Sequence, residues 1–214
     1  MNLPFTREQF FAVFRDYNEA VWPLQLLIVV LAFAALVLAV VGGRSAARAA
    51  CAILAALWAW AGVVYHLGFF LTVNPAAALF GAMFLCAAAL FAWEGVVHAR
   101  LQFDAAGDWR TFAAFVLAGY ALVVYPLLAP MLGRDMAEAA SFGLPCPVTI
   151  FTLGMLGLAR RPFPRSVFVV PVLWALIGVQ AAWLFGAYED LGLAVAALAA
   201  LWFALPARWE RTAA

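Results

Sequence analysis

The sequence predicts an all-α fold, a bundle of seven apolar helices crossing a membrane, and three observations predict it. The first is composition. Of 214 residues, 69% are hydrophobic and 11% charged, with a mean hydropathy of +1.03, against roughly 45–50% apolar and about 25% charged in soluble domains. A chain of this length cannot bury that much apolar surface in one soluble core. The second is periodic length. Apolar stretches near the ~20 residues that a hydrocarbon layer about 30 Å thick asks of a helix recur at residues 20–41, 49–73, 75–98, 111–132, 142–159, 167–187 and 191–206. The third is charge. The connections after the odd-numbered spans carry Arg44, Arg48, Arg100, Arg110, Arg160, Arg161, Arg165, Arg208 and Arg211, and the other side carries Arg7, Arg15 and Arg134. Arginine stays on the cytoplasmic side, so the asymmetry predicts an outer N-terminus and a cytoplasmic C-terminus, as an odd number of spans requires.

Residues 1–19 are charged at Arg7, Glu8, Arg15, Asp16 and Glu19, which no apolar centre of a signal peptide tolerates. Thr6-Arg7-Glu8-Gln9 has the spacing of a capping box, and Phe10, Phe11, Val13, Phe14 and Tyr17 supply an apolar side. This predicts an amphipathic helix lying in the outer interface, with a lid over an outward-facing site as the alternative. Residues 20–207 then form the seven-helix domain. The first span stops at Gly42-Gly43-Arg44, and the second turns into the third at Asn74-Pro75. A polar connection with Arg134, Asp135 and Glu138 follows the fourth. The fifth holds Pro145-Cys146-Pro147 near its start and stops at Arg160-Arg161-Pro162. Glu189-Asp190 turn the sixth into the seventh, which is the shortest, and residues 208–214 are a cytoplasmic tail.

An internal repeat organises these spans. Leu57-Trp58-Ala59-Trp60-Ala61-Gly62-Val63 matches Leu173-Trp174-Ala175-Leu176-Ile177-Gly178-Val179, and without a gap this register sets Asn74 opposite Asp190. Val63-Val64-Tyr65-His66-Leu67 aligns with Val123-Val124-Tyr125-Pro126-Leu127, and matching Pro75 to Pro147 sets Asn74 opposite Cys146. The pattern reads as one leading helix and three parallel helical hairpins, each with a polar residue at its outer turn. Parallel repeats build transporters around a central site.

Composition also excludes functions. The formal net charge is +1 and every one of the 12 basic residues is arginine, so no basic patch marks a nucleic-acid partner. Without lysine there is neither a Schiff base to retinal or pyridoxal nor a P-loop. No Gly-x-Ser-x-Gly, His-Glu-x-x-His or Gly-x-Gly-x-x-Gly is present, which disfavours an enzyme. The three cysteines, Cys51, Cys86 and Cys146, fall at different depths, too far apart to pair. No cofactor is named by the residues.

Polar side chains inside a membrane are costly, so their position is informative. By the assigned directions Tyr65, His66, Asn74, Tyr125, Cys146, Thr149, Gln180 and Asp190 all fall in the outer part of the bundle and predict a shared outward-facing pocket. Each also has a structural reading. His66 donates to a carbonyl between helices or handles protons. Asn74 and Asp190 cap helices or bind a ligand. The tyrosines form an interfacial belt or line the pocket. Cys146 fills an apolar gap, binds a soft metal with His66 and with Met131 or Met136, or acts as a nucleophile with His66 as base. Glu94, deep in an apolar run, pairs with an arginine or serves as an inner proton station. Gly62, Gly81, Gly154, Gly157 and Gly178 predict close helix contacts.

Tyr17-Asn18-Glu19-Ala20-Val21-Trp22-Pro23, Gly62-Val63-Val64-Tyr65-His66, Asn74-Pro75-Ala76-Ala77, the run from Phe142 to Thr152 and Glu189-Asp190-Leu191-Gly192 together resemble an uncharacterised family of bacterial multi-pass membrane proteins, a domain of unknown function. The resemblance covers nearly the whole chain and implies a single membrane domain in a bacterial inner membrane. It brings no substrate, cofactor or active residue. The functional expectation is therefore a transporter or small-ligand-binding protein with an outward-facing polar pocket for a small solute or ion. A membrane enzyme using the Cys146/His66 pair on a lipid or periplasmic substrate, and an accessory subunit of a membrane complex, are the alternatives. The partners expected are the lipid bilayer and a small solute or ion, with a homo-oligomer or a larger membrane complex left open.

Overall fold

A computed structural model describes residues 4–205. The tail at 208–214, with Arg208 and Arg211, and the end of the last expected span at residue 206 lie outside the described residues. Within them the chain is helical, with no β-strand beyond two isolated bridges.

Helix α1 (Arg7–Val21) opens with the expected capping box, Thr6 and Gln9 each bonding the other's backbone amide. Its apolar side packs into the bundle, with Phe11, Phe14 and Tyr17 buried. Four hydrogen bonds clamp it, three to the segment after the fourth long helix and one to the start of α2. Asn18 Nδ2 donates to the carbonyls of Ala137 and Ala139 at 2.8 Å, and Asn18 Oδ1 accepts from Gln25 at 2.8 Å and Ser141 at 2.7 Å. Arg15 pairs with Glu138 beside them.

Helix α2 (Leu24–Val41) buries Ile28, Ala32, Ala35 and Ala39 along one stripe and exposes Leu27, Val30, Phe33 and Val37. The small stripe lets it lie against α3 (Arg44–Trp60). That helix continues through a π-helical stretch, Ala61–Phe69, to Thr72. After Asn74-Pro75 comes α4 (Ala77–Phe91), extended by a π-helical turn over Ala92–Val97. Another π-helical stretch, Tyr120–Val124, joins α5 (Trp109–Gly119) to α6 (Tyr125–Met131). The remaining helices are α7 (Pro145–Gly157), α8 (Ser166–Gly178), α9 (Gln180–Leu184) and α10 (Leu191–Ala204).

Five of the seven expected spans form helices long and apolar enough to cross a membrane: Leu24–Val41, Arg44–Thr72, Ala77–Val97, Trp109–Met131 and Ser166–Leu184. The expected fifth and seventh do not reach that length. At 1.5 Å per residue, the 13 residues of α7 and the 14 of α10 rise only about 20 Å. Helix α7 cannot start earlier because Pro145 occupies its first turn and Gly143, at φ +114°, holds a backbone conformation no helix uses. Apart from Cys146 the whole of α7 is buried, packed among α3, α5, α8 and α10. Its largely apolar sequence, with apolar residues all round, thus reflects a position at the centre of the protein. Gly154 makes this possible, since a Cβ there would stand 2.9 Å from the Ala114 carbonyl oxygen of α5.

Charge is segregated between the two ends of the bundle. The end carrying α1 holds Arg7, Arg15 and Arg134 against seven carboxylates, those of Glu8, Asp16, Glu19, Asp135, Glu138, Glu189 and Asp190. The other end holds Arg44, Arg48, Arg100, Arg110, Arg160, Arg161 and Arg165 against Glu94, Asp104 and Asp108. There Glu94 pairs with Arg100 at 3.3 Å, the pairing its sequence position allowed, and it is separated by the length of the bundle from the cavity described next.

Candidate functional site

The three hairpins are α3–α4, α5/α6–α7 and α8/α9–α10, and their turns meet at the end covered by α1. There they enclose a cavity of about 210 Å³, the scale of a small organic molecule or a handful of waters. Asn74, Cys146 and Asp190, the residues that the repeat placed at equivalent turns, all line it. Tyr65, Tyr125 and Gln180 line it too, so six of the eight residues singled out from the sequence surround one space.

The other two do not. Thr149 turns back onto its own helix, its hydroxyl donating to the Pro145 carbonyl at 2.8 Å, as mid-helix threonines do. His66 lies behind the cavity wall, fully buried among the rings of Tyr65, Phe80, Phe84 and Trp174. Neither of its ring nitrogens has a hydrogen-bond partner. The expected bond from His66 to a carbonyl is therefore not made, and neither is a Cys146–His66 nucleophile–base pair. Met131 and Met136 are exposed, and among the described residues no three His, Cys, Asp or Glu side chains converge on a metal-binding point.

Local structure explains how the polar groups reach the cavity. Tyr65 lies within the π-helical stretch of α3, and Tyr125 follows immediately after that of α5; such stretches shift the helical register and recur at functional sites. Asn74 holds its turn by accepting from the Ala76 amide at 3.1 Å. Asp190 stands at the start of α10 but does not cap it, because its carboxylate accepts a hydrogen bond from the Tyr125 hydroxyl instead. The Cys146 thiol stands beside the same carboxylate. Gln180, exposed on α9, marks the mouth.

Next to Asp190 in the turn, Glu189 is buried rather than solvated. It is 1% exposed and forms a buried ion pair with Arg134, whose guanidinium also lies 4.5 Å over the Phe11 ring of α1. The Tyr120 hydroxyl donates to the Glu189 carbonyl at 2.7 Å. Because Arg134 is committed to Glu189, Asp190 is left without a charge partner of its own. Burial pushes its carboxyl up to about 7, with Glu189 adding in the same direction, while hydrogen bonds from Tyr125 and Cys146 and the charge of Arg134 oppose the rise.

Sequence reasoning missed most of the apolar wall. Phe5, Phe10 and Phe14, on α1 or just before it, and Phe70, Phe80 and Phe185 surround the polar floor. The signal available was the i, i+4 spacing of Phe10 and Phe14 on a helix that had a lid as one of its two readings. Trp174 was also missed. Of the two repeat-related tryptophans, Trp58 donates its indole N–H to Thr152 at 3.0 Å, whereas Trp174, in the cavity wall, turns its indole N–H toward the Cys146 thiol.

Fold and site thus define an all-α protein, several of its helices long and apolar enough to cross a membrane, with an aromatic cavity at one end roofed by its first helix. The chain belongs to a family of unknown function (DUF6064), which it matches over residues 7–214. No curated protein and no solved structure matches it.

Proposed function

We propose that this chain is a multi-pass protein of the bacterial inner membrane that binds, and as a transporter passes on, a small solute or ion through the cavity under α1. The observation that carries the reading is the convergence of Asn74, Cys146 and Asp190, one from each hairpin turn, with Tyr65, Tyr125 and Gln180 on one cavity. Buried polar groups that converge in an otherwise apolar cavity are how small-molecule sites fix orientation. The membrane part of the proposal rests on the five long apolar helices and their exposed apolar faces. Seven arginines gather at the end away from the cavity, so the rule that arginine stays in the cytoplasm turns the cavity outward. In this arrangement the seven-helix domain has α7 as a short inner member and α10 as a short outer one, and α1 is the cover of the site.

Native mass spectrometry of the gently solubilised full-length protein tests this reading, with Ala181→Trp as control because Ala181 lines the cavity and an indole there fills it. The wild type carries a small non-lipid adduct that the variant lacks. A wild type without such an adduct, or an adduct equally retained in Ala181→Trp, overturns the reading.

A further inference from the structure

The lining of the cavity is chemically one-sided. Among the described residues nine of its side chains are aromatic, and Asp190 is the only formally charged one. Arg134, the cation whose charge acts on Asp190, is paired with Glu189. An ionised carboxylate in such a place is costly unless a positive charge joins it, and aromatic faces attract cations through their quadrupoles.

A helix N-terminus ordinarily favours an anion, and α7 points its N-terminus at this space. Prolines at 145 and 147 remove two amide donors from its first turn, leaving little to hold one there. At this end of the bundle three arginines stand against seven carboxylates, Asp190 itself among them, a balance that favours cations over anions.

From these observations we infer that the solute is a small organic cation, an alkylated ammonium compound held between the aromatic walls and Asp190, and that it exchanges with a proton on that carboxylate. The inference rests on the small-solute reading above and names the class of solute. The groups facing Asp190 from every packed element are Tyr125 and Tyr120 from α6 and the π-helical stretch before it, Cys146 from α7, Tyr65 from α3, Glu189 from its own turn and Arg134 from the connection after α6. Of these, Arg134 and Glu189 neutralise one another, so the charge change on cation binding falls on Asp190. Exchange balances simply: the carboxylic acid releases H⁺ to solvent as the ammonium takes its place, and no bond of the ligand changes.

Titration calorimetry on the full-length protein in detergent micelles tests this with choline and its neutral isostere 3,3-dimethylbutan-1-ol. Choline binds, the isostere binds at least tenfold more weakly, and choline affinity is about tenfold lower at pH 6 than at pH 8, the change expected for a carboxyl that must ionise near pH 7. Asp190→Asn removes the preference. Phe10→Leu, which takes away an aromatic face but keeps the apolar volume, weakens choline several-fold and leaves the isostere unchanged. Equal binding of choline and isostere overturns the cation inference while the small-solute reading stands. Binding of neither, with the native adduct still present and lost in Ala181→Trp, also overturns the inference alone. Choline binding that persists in both Asp190→Asn and Ala181→Trp contradicts both.

Discussion

The Tyr125 hydroxyl donates to the Asp190 carboxylate, joining the second hairpin to the third at the floor of the cavity. Tyr125 emerges from a π-helical stretch and Asp190 from the turn before α10, so one bond fixes the relative position of two helices that share no sequence neighbourhood. That bond uses the acceptor which a helix cap would otherwise have used, leaving the start of α10 without a side-chain cap.

Asp190 gives the protein a defined dependence on pH. Its carboxyl is raised in the folded state to about 7 from an ordinary value of 3.8, so the folded chain holds a proton that the unfolded chain has lost. Stability from this group is therefore full below about pH 4, declines as pH rises toward 7, and is gone above that. Glu189, Arg134, Cys146, Tyr125 and Tyr120 are unchanged in Asp190→Asn. That variant flattens the decline in thermal-unfolding midpoint between pH 5 and pH 8, and an unaltered slope contradicts the assignment.

The ion pair of Arg134 and Glu189 is buried on both sides, at 8% and 1% side-chain exposure. Arg134→Ala leaves an unpaired carboxylate in the interior and costs about 3–5 kcal/mol, whereas removing both partners together as Arg134→Met, Glu189→Leu costs far less. Denaturant unfolding of the two variants in detergent distinguishes them. Equal destabilisation by both contradicts a desolvated pair.

The clamp on α1 is equally specific. Asn18→Ala removes four hydrogen bonds, leaving the carbonyls of Ala137 and Ala139 and the side chains of Gln25 and Ser141 to find other partners, at a cost of about 2–4 kcal/mol from roughly 1 kcal/mol per bond. Limited proteolysis then cuts between residues 132 and 144 faster than in the wild type. Unchanged cleavage argues that α1 is held by its apolar face alone.

Gly143 meets α1 from below. Its φ of +114° strains any other residue, and a Cβ there would stand 2.7 Å from the Tyr17 hydroxyl, which accepts from Trp60 at 2.8 Å. Gly143→Ala lowers the unfolding midpoint through both effects. Adding Tyr17→Phe removes the steric one and recovers part of the loss, although Tyr17→Phe alone is destabilising by about 1 kcal/mol. Strictly additive losses contradict the contact.

The all-helical character of the chain, the turn positions and six of the cavity residues were legible in the sequence because each rests on short-range information. Apolar runs, Thr6–Gln9 spacing, prolines after Asn74 and Cys146, and the repeated Leu-Trp-Ala pattern all act within a few residues. The rest depended on distance. Nothing near Arg134 says that Glu189 will meet it from 55 residues away, and nothing near residue 10 says that its ring lines the same cavity as Asp190. Helix α7 was read as a span because an apolar run looks the same whether lipid or protein surrounds it. His66 was read into the cavity because sequence position gives depth along a helix but leaves open which face a π-helical stretch will present.

The most direct test of an outward-opening cavity is the side from which Cys146 reacts. In Cys51→Ala, Cys86→Ala protein, Cys146 is the single thiol, and it lines the cavity while the other two do not. A membrane-impermeant methanethiosulfonate applied to right-side-out and inside-out vesicles reports its accessibility. Modification from the outer face alone, slowed by Ala181→Trp, is the predicted result; modification from the arginine-rich inner face, or from neither face, contradicts it.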